Sequence, residues 1–340
     1  MKMKMKSFSL LAAMLVLGLF VSAGPSPKPL KVIFDTDMGN DVDDALALDL
    51  LYKYVEDGRI DLLGITSNKE ELASVEYIDI MNNFYGFPDI PIGRITDGAN
   101  CDRVNSYVSV VSKDKRYKRS HKDYTKLPES VDLMRRLLAE AEDGSVAIVA
   151  VGFSTNLSRL LASKPDGYSA LDGRELVRRK VKGLYMMAGD FTPKPIRPEY
   201  NIRIDRAAAQ DVFRNWPTPV VTSPWEVGEE VLYPCESILN DFKYAVPHPM
   251  VEAYKVYKPM PYDRQTWDVT TVLYAVEPDA GYFGTSGPGR IVVTDGSQTL
   301  FEADPDGNRS YLTITPEQSR RVRDYFIRMI TRVPRVYGGK

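Results

Sequence analysis

The chain has 340 residues, of which 44% are hydrophobic and 26% charged, enough apolar material for a large buried core. That composition excludes intrinsic disorder, collagen and coiled coil. A formal net charge of −2 argues against nucleic acid as a partner.

Lys2, Lys4 and Lys6 precede an apolar run over 8–21, and Val21-Ser22-Ala23 offers small residues for cleavage, the pattern of a secretory signal peptide. The run falls short of the ~20 apolar residues of a spanning helix. Residues 1–23 are expected to be removed, leaving 24–340 as one exported domain, periplasmic or secreted, without a membrane span. Losing three Lys and no acid leaves 41 basic against 46 acidic residues, a mature charge of −5.

From residue 30 onward, short apolar runs alternate with amphipathic stretches. Strands are predicted at 30–34, 60–66, 90–92, 146–151, 181–187 and 219–222. Helices are predicted at 42–54, 72–85, 131–142, 156–163 and 206–215. This order predicts an α/β fold with a mostly parallel central sheet, helices on both faces, and a site at the carboxyl ends of the strands. Residues 99–127 interrupt the rhythm with a basic stretch at 113–119 and read as a solvated surface insertion that carries His121. Near the end, 290–293 and 299–302 predict a small β-hairpin, 304–308 a turn, and 316–331 a last helix.

Cys101 and Cys235 lack CxxC spacing, so they suggest no zinc site and leave open whether they pair. His121 and His248, the only histidines, are too few for a His-rich metal site.

The densest chemical signal is Asp35-Thr36-Asp37-Met38-Gly39-Asn40-Asp41-Val42-Asp43-Asp44, directly after the first strand and at the start of the first helix. Such a cluster repels itself unless a cation neutralises it, and oxygen ligands without His or Cys select a hard ion, Ca²⁺ or Mg²⁺. Asp41 is expected to cap the helix. An EF-hand is excluded, because Asn40 and Leu46 stand where that loop needs Gly and Glu.

At these residues the chain resembles the inosine-uridine-preferring nucleoside hydrolase family, whose first strand ends in a DTDxGxDD pattern, here with two extra residues between Gly39 and Asp43. Three later stretches are similar to family motifs in the same order: 147–157 with its Gly152 and Thr155-Asn156, 199–208 beginning Glu199-Tyr200-Asn201, and Trp267-Asp268. The resemblance implies that Asp37, Asp44, Asp268 and the Val151 carbonyl bind Ca²⁺. It further implies that Asp37 is the general base, and that Asp43, Glu199 and Asn201 grip ribose hydroxyls. Asn68, at the end of the second strand, is a further candidate for that grip, with a surface-loop role as the commoner reading of such an Asn. The implied activity is calcium-dependent hydrolysis of the N-glycosidic bond of a ribonucleoside or related N-riboside.

Two positions depart from the family pattern. Trp267 replaces a His, and an indole N–H donates a hydrogen bond but does not transfer a proton near neutral pH. Asp190 stands in place of Asn and reads equally as an acid of raised pKa or a loop cap. The chain is therefore expected to favour leaving groups that depart without strong protonation. Trp225, Tyr262 and Tyr282 are candidates for stacking on a base. Two rivals stay open: a glycoside-binding protein that has lost turnover, and a Mg²⁺-dependent phosphohydrolase using Asp35 or Asp37 as nucleophile. Monomer and homo-oligomer are equally open, as is the base preferred.

Overall fold

The structure is a computed structural model in which residues 28–99, 106–193 and 197–339 are described. The expected signal peptide and Cys101 lie outside the described residues. The six apolar runs of the first two thirds form β1 (Leu30–Thr36), β2 (Ile60–Ser67), β3 (Ile92–Gly93), β4 (Val146–Ala150), β5 (Val181–Met187) and β6 (Val220–Ser223). Leu232–Tyr233 (β7) and Arg264–Gln265 (β8) pair separately, antiparallel. The last strands are β9 (Gly284–Thr285), β10 (Gly289–Val293), β11 (Thr299–Ala303) and β12 (Arg309–Thr313).

The main sheet has the order β11-β10-β12-β6-β5-β4-β1-β2-β3, with β9 on β12. Neighbours from β3 through β12 along this path are parallel, and β10 and β11 add an antiparallel edge. Every residue of β4 is buried, as expected of a parallel strand covered on both faces. The apolar side chains divide into two clusters. One is built on Phe34 and Ile65, the other on Ile33 and Ile148.

The hairpin expectation is met by β10 and β11 but needs correcting in its context. The 309–313 run was not read as a strand, yet it becomes β12, wedges parallel to β6 and ties the hairpin into the main sheet. The turn at 304–308 thus joins two strands that do not pair with each other, since β10 lies between them. The 99–127 insertion also departs from expectation. Its described part carries a helix, Tyr107–Val111, with Tyr107 and Val108 buried. Tyr107 Oη accepts from the Gly39 amide at 3.1 Å and donates to the Asp41 carbonyl at 3.0 Å, so the insertion packs on the acidic loop.

Chain order explains where a site must form. From β1 the chain builds outward through β2 and β3, then returns to lay β4, β5 and β6 on the other side of β1. The connections leave β1 and β4 in opposite directions, opening a crevice beyond their carboxyl ends. That crevice lies between Asp37 and Val151.

Candidate active site

Parallel pairing sets the floor of the crevice. Asp35 is in register with Thr66 of β2 and Ala150 of β4, and the Val151 amide donates to the Asp35 carbonyl at 2.8 Å. The Asp35 carboxylate faces inward, where it accepts from Thr66 Oγ1 at 2.6 Å, Asn68 Nδ2 at 2.8 Å and Asn156 Nδ2 at 2.7 Å. Burial pushes its pKa up to about 6 against these hydrogen bonds. A carboxylate so engaged ties three strand ends together and is not presented as a nucleophile, which removes the Asp35 version of the phosphohydrolase reading.

Asn68 takes a different place from the one expected in the ribose grip. Its Nδ2 is given to Asp35 and its Oδ1 accepts from the Phe153 amide at 3.1 Å, so both ends of the amide serve the scaffold. It is fully buried and is absent from the described residues that line the cavity.

Asp37, one pleat beyond Asp35, turns toward the crevice, with Oδ2 accepting from Asn40 Nδ2 at 2.6 Å. Gly152 makes room for it: a Cβ there would stand 2.7 Å from Asp37 Cβ. Asp43 and Asp44 begin the Asp43–Glu56 helix, and Asp268 lies in the first turn of the Trp267–Val276 helix. The two helices meet at their starts, where the Asp268 amide donates to Asp43 Oδ2 at 3.0 Å. Asp37, Asp43, Asp44 and Asp268 are all buried. Burial first, then their mutual repulsion, raises the pKa of Asp44 and Asp268 well above the usual carboxylate range. Asp44 Oδ1 accepts from Thr36, whereas Asp44 Oδ2 is buried with no hydrogen-bond partner among the described residues. An orphaned carboxylate oxygen within a ring of acids is what a hard cation would satisfy, so the donor set fits Ca²⁺.

Asp41 does not cap the helix, as the N-cap residue is Val42 and has no side-chain cap bond. Instead Asp41 pairs with Arg264, whose guanidinium also lies 3.6 Å from Asp43 Oδ1. Arg264 is sandwiched between Tyr257 and Trp267, at 5.0 and 4.8 Å from the ring centroids. Nothing in the sequence pointed to it, because it reaches the acidic loop from the short β8.

The opposite wall comes from β5 and the segment after it. Glu199 begins the Tyr200–Ile204 helix and accepts three backbone N–H groups: Asn201 on Oε1 at 2.7 Å, and Ile202 and Gly189 on Oε2 at 3.1 and 3.2 Å. Burial nevertheless pushes its pKa up to about 7. Asn201 Nδ2 reaches the Val151 and Met187 carbonyls at 3.3 and 3.2 Å. Asp190 is found as a loop cap, its Oδ1 accepting from Thr192 N and Oγ1 at 2.9 and 2.6 Å.

These groups enclose a cavity of about 680 Å³ lined by Asp37, Asp43, Asp190, Glu199, Asn201, Trp267 and Asp268, together with Val151, Trp225 and Arg197. Asp44 sits behind it. Trp267 does line the cavity, but its Nε1–H is given to the Trp225 carbonyl at 2.9 Å, which removes it as a donor to a leaving base. Of the three stacking candidates only Trp225 is among the lining residues. Tyr262 Oη donates to the Tyr254 carbonyl, and Tyr282 packs on Tyr325. His248 is buried among Phe84, Tyr85 and Phe242, and the His121 amide binds Asp79, so neither histidine reaches the site.

Fold and cavity together define a doubly wound α/β protein with a carboxylate-lined cavity at its switch point. The chain belongs to the inosine-uridine preferring nucleoside hydrolase family, whose pattern matches residues 32–319. A pyrimidine-specific ribonucleoside hydrolase of Citrobacter koseri is 31% identical over 210 residues, covering 58% of this chain and 61% of that relative. The chain thus matches about three fifths of the length of that relative. Among solved structures, a plant nucleoside hydrolase superposes with a TM-score of 0.68 at 20% identity, covering 89% of this chain and 99% of that one. A purine-preferring ribonucleoside hydrolase from Gardnerella vaginalis gives 0.68 at 19% identity, covering 88% and 98%. These two likenesses establish the fold.

Proposed function

We propose that the protein hydrolyses the N-glycosidic bond of a ribonucleoside or related N-riboside, with Ca²⁺ as cofactor, giving ribose and the free base. One observation carries this reading: Asp37, Val151 and Asp268 line one cavity, and the neighbouring buried Asp44 keeps Oδ2 without a hydrogen-bond partner among the described residues. Family membership supports it. The relatives named above act on pyrimidine and purine ribonucleosides, so both base classes belong in the test.

Bound at Asp37, Asp44, Asp268 and the Val151 carbonyl, Ca²⁺ would lower the pKa of a water and orient ribose hydroxyls. Asp37, open to the cavity, accepts the proton of the attacking water. Asp43 and Glu199 accept from ribose hydroxyls, and the Asn201 amide, anchored on two carbonyls, borders the same pocket. The ring of carboxylates favours positive charge developing at C1′. The N-terminal pattern over 2–23 supports export, so the riboside would be met outside the cytoplasm.

The test is reducing-sugar release from a purine and pyrimidine nucleoside panel, with and without chelator. Release that chelation abolishes and calcium restores is expected. Release of phosphate from phosphoesters without ribose release would overturn the reading, as would no turnover of any riboside.

A further inference from the structure

Hydrolysis of an unactivated riboside asks for a proton at the departing base, and the described lining of the cavity offers one phenol, Tyr200, and no imidazole. The Trp267 N–H is bound to the Trp225 carbonyl, both Glu199 oxygens accept backbone N–H groups, and Asp190 accepts from Thr192. What the cavity does offer is negative charge and aromatic surface. Its described lining holds six carboxylates against one guanidinium, that of Arg197. Pairing Asp41 with Arg264 and adding a divalent cation still leaves the lining net negative. Trp225 and Trp267 both line the cavity and are joined by the Trp267 Nε1–H bond to the Trp225 carbonyl, and the Trp225 amide is tied to the Gly189 carbonyl at 2.8 Å, next in sequence to Asp190, which lines the same cavity. Glu226, next in sequence to Trp225, accepts from the Phe191 amide at 3.2 Å and adds a second carboxyl behind Asp190.

We propose that the preferred substrates are ribosides whose base is a positively charged nitrogen heteroaromatic, such as an N-ribosylated pyridinium or an N7-alkylated purine. This rests on the N-riboside hydrolase reading and narrows it. Indole faces flanked by carboxylates attract a flat organic cation by cation–π and Coulomb attraction. The chemistry matches a lining without an imidazole acid. Water oxygen forms the bond to C1′ while the C1′–N bond breaks, its electron pair returns to the ring nitrogen and neutralises the base, and the water proton passes to Asp37. No proton has to reach the base, which departs neutral.

The experiment compares kcat and KM of the calcium-loaded protein for 7-methylguanosine and nicotinamide riboside against guanosine, uridine and 4-nitrophenyl riboside. The last has an activated but uncharged leaving group, so it separates recognition of charge from ease of departure. The cationic pair should exceed guanosine and uridine by ~10²-fold in kcat/KM and show a KM at least ~10-fold below that of 4-nitrophenyl riboside. Trp225→Leu should raise KM for the cationic pair by a factor at least ~5 times that for 4-nitrophenyl riboside, which loses stacking but no cation–π attraction. Guanosine turned over as well as 7-methylguanosine would overturn the proposal while leaving riboside hydrolysis intact. Equal KM values for the cationic pair and 4-nitrophenyl riboside in the wild-type chain would overturn it too. Failure to cleave any of the five would overturn both readings.

Discussion

Asp35 and Asp37 are two residues apart on one strand end, yet their surroundings separate their roles. Asp35 is surrounded by Thr66, Asn68 and Asn156, whereas Asp37 has one side-chain donor, Asn40, and a face on the cavity. Under the proposed mechanism Asp37→Asn should therefore cut kcat by at least ~10³-fold, since it would remove a calcium-binding charge and the base together. Asp35→Ala should act on stability, because it strands three buried donors at ~1–3 kcal/mol each at most. Denaturant midpoints and kcat for the two variants check this assignment, and equal kcat losses would refute it. Asp41→Asn belongs with the stability class. It takes from Arg264 its charged partner, and a lowered Tm with kcat much less affected than in Asp37→Asn is expected.

Among the elements, the decisive contact is between the Trp225–Glu229 and Trp267–Val276 helices. A Cβ on Gly228 would overlap Trp267 at both Cδ1 and Cα, and the backbone atom cannot swing aside. Gly228→Ala should separate the helices, cost about 1–3 kcal/mol by overpacking, and displace Asp268 along with Trp267. The measurable result is a lower Tm together with weaker calcium binding by titration calorimetry. A lower Tm with unchanged calcium affinity would show that the start of the Trp267–Val276 helix is held independently of Gly228. Most of these elements could be read from the sequence, because an apolar run or a 3.6-residue period is a local property. The Tyr200–Ile204, Trp225–Glu229 and Cys235–Asn240 helices escaped that reading, as did the longer Gly173–Lys180, Pro249–Tyr257 and Trp267–Val276 helices. The first three are only five or six residues long, too short to display a period, and the Trp267–Val276 helix is buried along most of its length, so it shows no polar face to mark one.

For the molecule as a whole, burying the acidic cluster makes stability depend on pH and on the ion together. Burial raises Asp35 to about 6, and burial and mutual repulsion push Asp44 and Asp268 the same way. A carboxyl whose pKa is higher in the folded than in the unfolded chain binds its proton more tightly when folded. Its ionisation therefore costs stability as pH rises from about 4 through the folded value, and protonation restores it as pH falls. Chelator-treated protein should accordingly show a falling Tm between about pH 5 and pH 7.5. Calcium should reverse the trend: at a fixed calcium concentration the stabilisation is greatest at the alkaline end, where Kd is lowest, and reaches ~2.7 kcal/mol where that concentration is a hundredfold excess over Kd. A thermal-melt series with and without calcium tests this, and a Tm that rises with pH in the chelated protein would contradict it. No helix among the described residues is long and apolar enough to cross a membrane.

By itself the sequence determined the alternation of strands and helices, the acidic stretch after the first strand, and the four ordered motifs that mark the family. Each is carried by neighbouring letters, so hydrophobic period and charge density were enough to find it. Only tertiary structure decided which acids face the cavity and which brace the scaffold. Asp43 and Asp268 meet across 225 positions, and Asp35 finds Asn156 across 121. The roles of Asn68, Asp41 and Trp267 likewise changed once their partners were in place: Asp35 and Phe153, Arg264, and the Trp225 carbonyl. A buried polar group takes its chemistry from the few atoms that satisfy it, and those atoms come from strands and helices that the local pattern does not place beside one another.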